Sequence, residues 1–124
     1  MSGKTILYVE DNELNRRLVR DLLKRTTYRL IEAYDGEAGI TTALAERPDL
    51  ILMDIQLPKI SGLDVVRRLR AESTTAATPI VALTSFALSG DDQKAKDAGA
   101  TAYLAKPYSP LALLDLIRKL LPEP

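Results

Sequence analysis

The chain has 124 residues, 46% of them apolar, enough for one compact domain with a continuous core. Lysine plus arginine equals aspartate plus glutamate at 17 each, so no field of one sign argues for nucleic acid, an anionic membrane or an acidic substrate. Cysteine and histidine are both absent, which excludes disulfides, thiolate nucleophiles, imidazole bases and Cys/His zinc sites. The first strand is read at Thr5 to Val9, where the apolar run Ile6-Leu7-Tyr8-Val9 ends in the acidic pair Glu10-Asp11. Such a run ending in charge reads as a buried strand whose last residue emerges at the edge of a sheet. Leu14, Leu18 and Leu22 are spaced for one face of a first helix, with Arg16, Arg17 and Arg20 expected on a solvated face. A second strand, Arg29 to Ala33, is followed by an Asp35-Gly36 turn and a helix from Ala38 to Ala45. The third strand, Leu50 to Met53, ends in Asp54, and a third helix beyond Gly62 carries Leu63, Val66 and Leu69. The fourth strand, Ile80 to Leu83, ends in Thr84-Ser85 and leads to a polar helix, Asp91 to Ala98, stopped by Gly99. The fifth strand, Ala102 to Leu104, leads through Ala105 to Lys106-Pro107, and the last helix has Ser109 as its cap, Pro110 at its first position and an end before Pro122.

Five strand-helix units in succession predict a single α/β domain over residues 1–124, a parallel sheet covered on both faces. Right-handed crossovers give the doubly wound order 2-1-3-4-5, with its switch point between strands one and three. Glu10, Asp11 and Asp54 are then neighbours, and three carboxylates in one crevice repel one another unless a cation sits among them. Those residues outline a magnesium site. A flavin or nucleotide phosphate would need a loop rich in Gly, Ser or Thr after the first strand, where this chain has Glu-Asp-Asn-Glu-Leu-Asn. Thr84 and Lys106 bring a hydroxyl and a cation to the same edge. Acids, Mg²⁺, hydroxyl and lysine together suit phosphoryl transfer to a carboxylate nucleophile. Singly, each residue has an ordinary use: Asp11 as a helix cap, Thr84 and Tyr103 as strand residues, Lys106 as a solvated loop lysine. Asp54, after four apolar residues, is harder to explain that way.

Ile-Leu-Tyr-Val-Glu-Asp-Asn, Asp-Leu-Ile-Leu-Met-Asp-Ile-Gln-Leu-Pro, Pro-Ile-Val-Ala-Leu-Thr-Ser and Tyr-Leu-Ala-Lys-Pro, in that order, resemble the receiver domain of two-component response regulators, with its CheY-like, flavodoxin-like fold. Within that family the chain is similar to stand-alone receivers of the DivK type and to receivers of hybrid histidine kinases. The resemblance implies that Asp54 is the phosphoacceptor, taking its phosphoryl group from a phosphohistidine. It implies Mg²⁺ ligation by Asp11, Asp54 and the backbone carbonyl of Gln56, with Glu10 acting directly or through water. Thr84 would hydrogen-bond the phosphoryl oxygen, Lys106 would pair with it across a cis Lys106-Pro107 peptide, and Tyr103 would turn inward as an aromatic switch when Thr84 moves. Glu10 stands where many members have Asp. Phe86, two residues after Thr84, is expected to slow dephosphorylation, so that the phosphoryl half-life shortens in Phe86→Ala.

The expected partners are a histidine kinase or histidine phosphotransferase, docking near Leu14, Asn15 and Leu18, and a downstream effector protein. The wide apolar arc of the last helix, Leu116 and Leu120 included, suggests effector binding or a homodimer as well as burial. No apolar stretch approaches the roughly 20 residues of a membrane span, so a soluble, cytoplasmic, stand-alone protein is expected, neither membrane-bound nor a turnover enzyme. Two other readings stay open. One is a magnesium-dependent phosphatase working through an aspartyl phosphate, disfavoured because Gln56 stands where its acid/base aspartate is needed. The other is an adaptor that works without phosphorylation.

Overall fold

The structure, a computed structural model, describes residues 3–84, 91–105 and 109–123, with the backbone alone at Asp91 and Asp92. Ser85, Phe86, Lys106 and Pro107 lie outside the described residues. Five strands, β1 (Thr5–Val9), β2 (Arg29–Ala33), β3 (Leu50–Asp54), β4 (Ile80–Thr84) and β5 (Ala102–Ala105), alternate with five helices, α1 (Glu13–Leu23), α2 (Gly36–Glu46), α3 (Gly62–Ala71), α4 (Asp91–Ala98) and α5 (Pro110–Leu120). All pairings are parallel and the order is β2-β1-β3-β4-β5, as the crossover argument requires. Strands β3 and β4 each run one residue further than expected, taking in Asp54 and Thr84.

Strand alternation divides the core between the two faces of the sheet. Ile6, Tyr8, Leu50, Leu52, Val81 and Leu83 meet Val19 and Leu23 of α1 and Leu113, Leu114 and Ile117 of α5. Leu7, Val9, Ile51, Met53 and Ile80 meet Ile40 and Ala43 of α2, Val65, Val66 and Leu69 of α3, and Ala98 of α4. The three central strands are apolar on both faces because both are covered. Each fully buried Leu or Ile there contributes about 1.5–3 kcal/mol through area removed from water.

Helix boundaries follow their caps. Asn12 caps α1 by accepting from the Asn15 N–H at 3.0 Å, so Asp11 is left to other work. Asp35 caps α2 by accepting from Ala38 N–H at 2.8 Å, which makes Gly36 the first helical residue and starts that helix two residues earlier than the Asp-Gly turn suggested. Ser61 caps α3 and Ser109 caps α5, with Pro110 at the start of that helix. Gly99 has φ of 114°, and the Gly99→Lys96 and Ala100→Ala95 hydrogen bonds at 2.9 Å close the end of α4 as a Schellman motif.

One expectation about α1 changes. Leu14 and Leu18 are 62% and 58% exposed, and of the leucine stripe only Leu22 packs on the core, beside Val19 and Leu23. The arginines are not one solvated face. Arg17 is exposed, but Arg16 is buried, with its guanidinium 4.0 Å from the Tyr34 ring centroid. Arg20 grips Glu32 through Nε at 2.9 Å and Nη2 at 2.7 Å, which raises its pKa further.

The chain's end is tied back to the start of β2. Glu123 accepts from the Thr27 N–H and hydroxyl, both at 2.9 Å, and from Arg118 Nε at 2.8 Å. These bonds hold its carboxyl below the usual range.

Candidate functional site

The pairing of β1 with β3 in the register Val9↔Met53 brings Glu10 and Asp54 out side by side at the carboxyl edge. Asp11 follows directly. One carboxylate oxygen from each of Glu10, Asp11 and Asp54 lies within 4.8 Å of the others, Glu10 and Asp54 being buried and Asp11 exposed. An all-oxygen donor set with two buried carboxylates suits a hard cation such as Mg²⁺, held with some of its waters.

Glu10 is held from every side. Its N–H donates to Ala33 O at 3.0 Å and its carbonyl accepts from Arg16 Nη1 at 2.8 Å. Its Oε1 accepts from the Tyr8 hydroxyl at 3.1 Å and from Asn15 Nδ2 at 3.2 Å, while Oε2 accepts from the Asn12 N–H at 3.2 Å. Arg16 in turn donates through Nη2 to Glu13 at 3.2 Å, and its Nε lies 3.5 Å from Glu32 Oε1 as an ion pair outside hydrogen-bond geometry.

Asp54 is fixed by the residues that lead from β3 into α3. Its Oδ1 accepts from the Gln56 N–H at 3.0 Å, Ile55 N–H still pairs with Leu83 O at 2.9 Å, and Gly62 N–H returns to Ile55 O at 2.9 Å. At Gly62 a Cβ would lie 2.1 Å from Asp54 O, so only glycine allows α3 to start this close to the end of β3. Thr84 is fully buried at the end of β4, one residue beyond the Asp54↔Leu83 pair. Tyr103, half-buried on β5, pairs with Ala82. The structure thus brings Glu10, Asp11, Asp54, Gln56 and Thr84 to one edge of the sheet, while Lys106 and Pro107 lie outside the described residues.

The response regulator receiver domain family matches residues 6–118. The chain belongs to that family. The polar-differentiation response regulators DivK of Brucella anthropi and Brucella ovis are 41% and 40% identical to it, each over 95% of this chain and 96% of theirs. The chain therefore belongs with response regulator receivers of two-component signalling. Among solved structures, chemotaxis response regulator CheY4 of Vibrio cholerae superposes with a TM-score of 0.89 at 31% identity, covering 95% of this chain and 98% of that one. The receiver domain of sensor histidine kinase PA1611 from Pseudomonas aeruginosa PAO1 superposes with a TM-score of 0.88 at 36% identity, covering 95% and 97%, and that structure has a magnesium ion coordinated in its active site cleft.

Sequence reasoning missed Tyr8 and Arg16. Tyr8 reads as one of the apolar strand residues, yet a buried hydroxyl needs a partner, and Glu10 two residues on shares its side of the strand. That Tyr-x-Glu spacing is the available signal. Arg16 gives none, because its burial depends on Tyr34 and Glu32 of another part of the fold.

Proposed function

We propose that this receiver accepts a phosphoryl group on Asp54 from a partner's phosphohistidine, with Mg²⁺ held by Asp11, Asp54 and the Gln56 carbonyl and assisted by Glu10. The convergence of the three carboxylates at the end of β1 and β3 carries this reading. Bound Mg²⁺ would neutralise charge on the equatorial phosphoryl oxygens. An Asp54 carboxylate oxygen forms the new O–P bond as the donor's N–P bond breaks, and the imidazole leaves with the bonding pair. Asp54 is buried and oriented by the Gln56 N–H, which presents one carboxylate geometry to the donor. Thr84 hydrogen-bonds the transferred group and Lys106 pairs with it. Replacing a carboxylate by a phosphoryl group of about −1.5 to −2 charge then biases Thr84 and Tyr103 towards a second arrangement read by an effector protein. Turnover of other substrates is not part of the role, and the setting is cytoplasmic.

The donor docks on the exposed leucines of α1. Leu14 and Leu18 stand one turn apart beside the acidic edge. Asn15, half-buried between them, bonds Glu10, so it serves the site as well. On α5, Leu116 and Leu120 pack partly against the core, and Leu111 is 70% exposed, leaving an effector or a second copy a narrower face than the sequence suggested. Transfer from a phosphorylated histidine phosphotransferase is expected to slow at least about tenfold in Leu14→Ala/Leu18→Ala, while uptake from acetyl phosphate is unchanged. Equal slowing with both donors would place the defect in the chemistry and remove the docking assignment.

A further inference from the structure

Resting on the magnesium reading above, we infer that Tyr8 and Asn15 are positioning residues that set the affinity of the site for Mg²⁺ by fixing the Glu10 carboxylate. Glutamate has one more rotatable bond than aspartate, so at this position it needs restraint that a shorter acid does not. The fold supplies it. Tyr8 on β1 and Glu10 just past its end, two residues apart, project to the α1 face, where the fully buried phenol reaches along the chain to Oε1 at 3.1 Å. Asn15 bonds the same oxygen at 3.2 Å from α1, and the Asn12 N–H holds Oε2 at 3.2 Å. Two donors on one oxygen and one on the other define the orientation of the carboxylate plane, so Glu10 faces Asp11 and Asp54 without losing side-chain freedom when the cation arrives. Outer hydrogen-bond partners of this kind tune metal affinity by holding a ligand's geometry.

The test is a Mg²⁺ titration followed by NMR shifts of the Asp11 and Gln56 amides in the parent, Tyr8→Phe, Asn15→Ala, Glu10→Asp, and each of the first two variants combined with Glu10→Asp. Tyr8→Phe keeps the ring and removes only the hydroxyl, and Asn15→Ala is a half-buried change on α1 that keeps the question open if the strand variant folds poorly. Each is expected to weaken Mg²⁺ binding about tenfold in the Glu10 protein. In the Glu10→Asp background, whose shorter arm withdraws the carboxylate from the phenol, the Tyr8→Phe change is expected to have less than about a twofold effect. Unchanged affinity in both single variants, or the same loss in both backgrounds, would overturn the inference and leave Tyr8 and Asn15 as packing residues. A parent that shows no Mg²⁺-dependent shifts would instead overturn the magnesium reading on which it rests.

Discussion

Gly62→Ala is expected to melt about 10 °C or more below the parent and to lose most of its phosphoryl uptake. The added Cβ would lie 2.1 Å from Asp54 O and 2.6 Å from Ile55 Cα, both backbone atoms of the strand end that presents the phosphoacceptor. Neither can rotate away as a side chain would. Relief requires moving α3 off the sheet, which opens the packing of Val65, Val66 and Leu69, or moving Asp54, which breaks its register with Leu83. Overpacking of this kind costs about 3 kcal/mol or more when backbone must give. Thermal unfolding followed by circular dichroism measures the first effect, and intact mass after acetyl phosphate treatment measures the second. A variant within about 2 °C of the parent with full uptake would show that α3 does not brace Asp54.

Arg70→Met is expected to lower unfolding stability by about 2–4 kcal/mol and to loosen the corner between α4 and β5. Arg70 stands in the last turn of α3 and ties it to two segments: Nε donates to Gly99 O at 2.8 Å and Nη2 to Thr101 Oγ1 at 3.2 Å in the connection from α4 to β5, and Nη1 donates to Thr75 O at 3.0 Å, Ala76 O at 3.2 Å and Thr78 O at 2.6 Å. Burial pushes its pKa down, yet guanidinium keeps its charge, so these are charge-assisted bonds. Methionine keeps the stem and removes every donor. Urea unfolding gives the stability change, and hydrogen exchange at Ala100 and Thr101 reports the corner. Arg70→Lys, with a single nitrogen in place of three, is expected to recover less than half of the loss. A cost under about 0.5 kcal/mol for Arg70→Met would mean that water replaces the donors at no penalty.

The fold was legible because strand and helix periods alternate cleanly and because caps mark the turns. Apolar runs at Ile6–Val9, Leu50–Met53 and Ile80–Leu83 predict central strands, and those are the strands buried on both faces. The carboxylate edge was legible for the same reason: charges placed just after such runs emerge together once the order 2-1-3-4-5 is fixed. The supporting contacts were not legible. Whether an arginine at the start of α1 is solvated or buried depends on Tyr34 and Glu32, some 16 to 18 positions away in the chain. The leucine spacing of α1 shows that residues share a face without showing which face meets the sheet, and of the three leucines only Leu22 packs on the core. On α5 the wide apolar arc is mostly core, since Leu113, Leu114 and Ile117 are buried and Leu116 and Leu120 pack beside them.

The central claim is that Asp54 is the phosphoacceptor of a magnesium-assisted site. It is tested most directly by intact mass after incubation with acetyl phosphate and Mg²⁺, beside Asp54→Asn and beside the parent with the metal chelated. The expected result is a gain of one phosphoryl group in the parent with Mg²⁺ and none in either control. No gain, under conditions that label a known receiver, or an undiminished gain in Asp54→Asn, would contradict it.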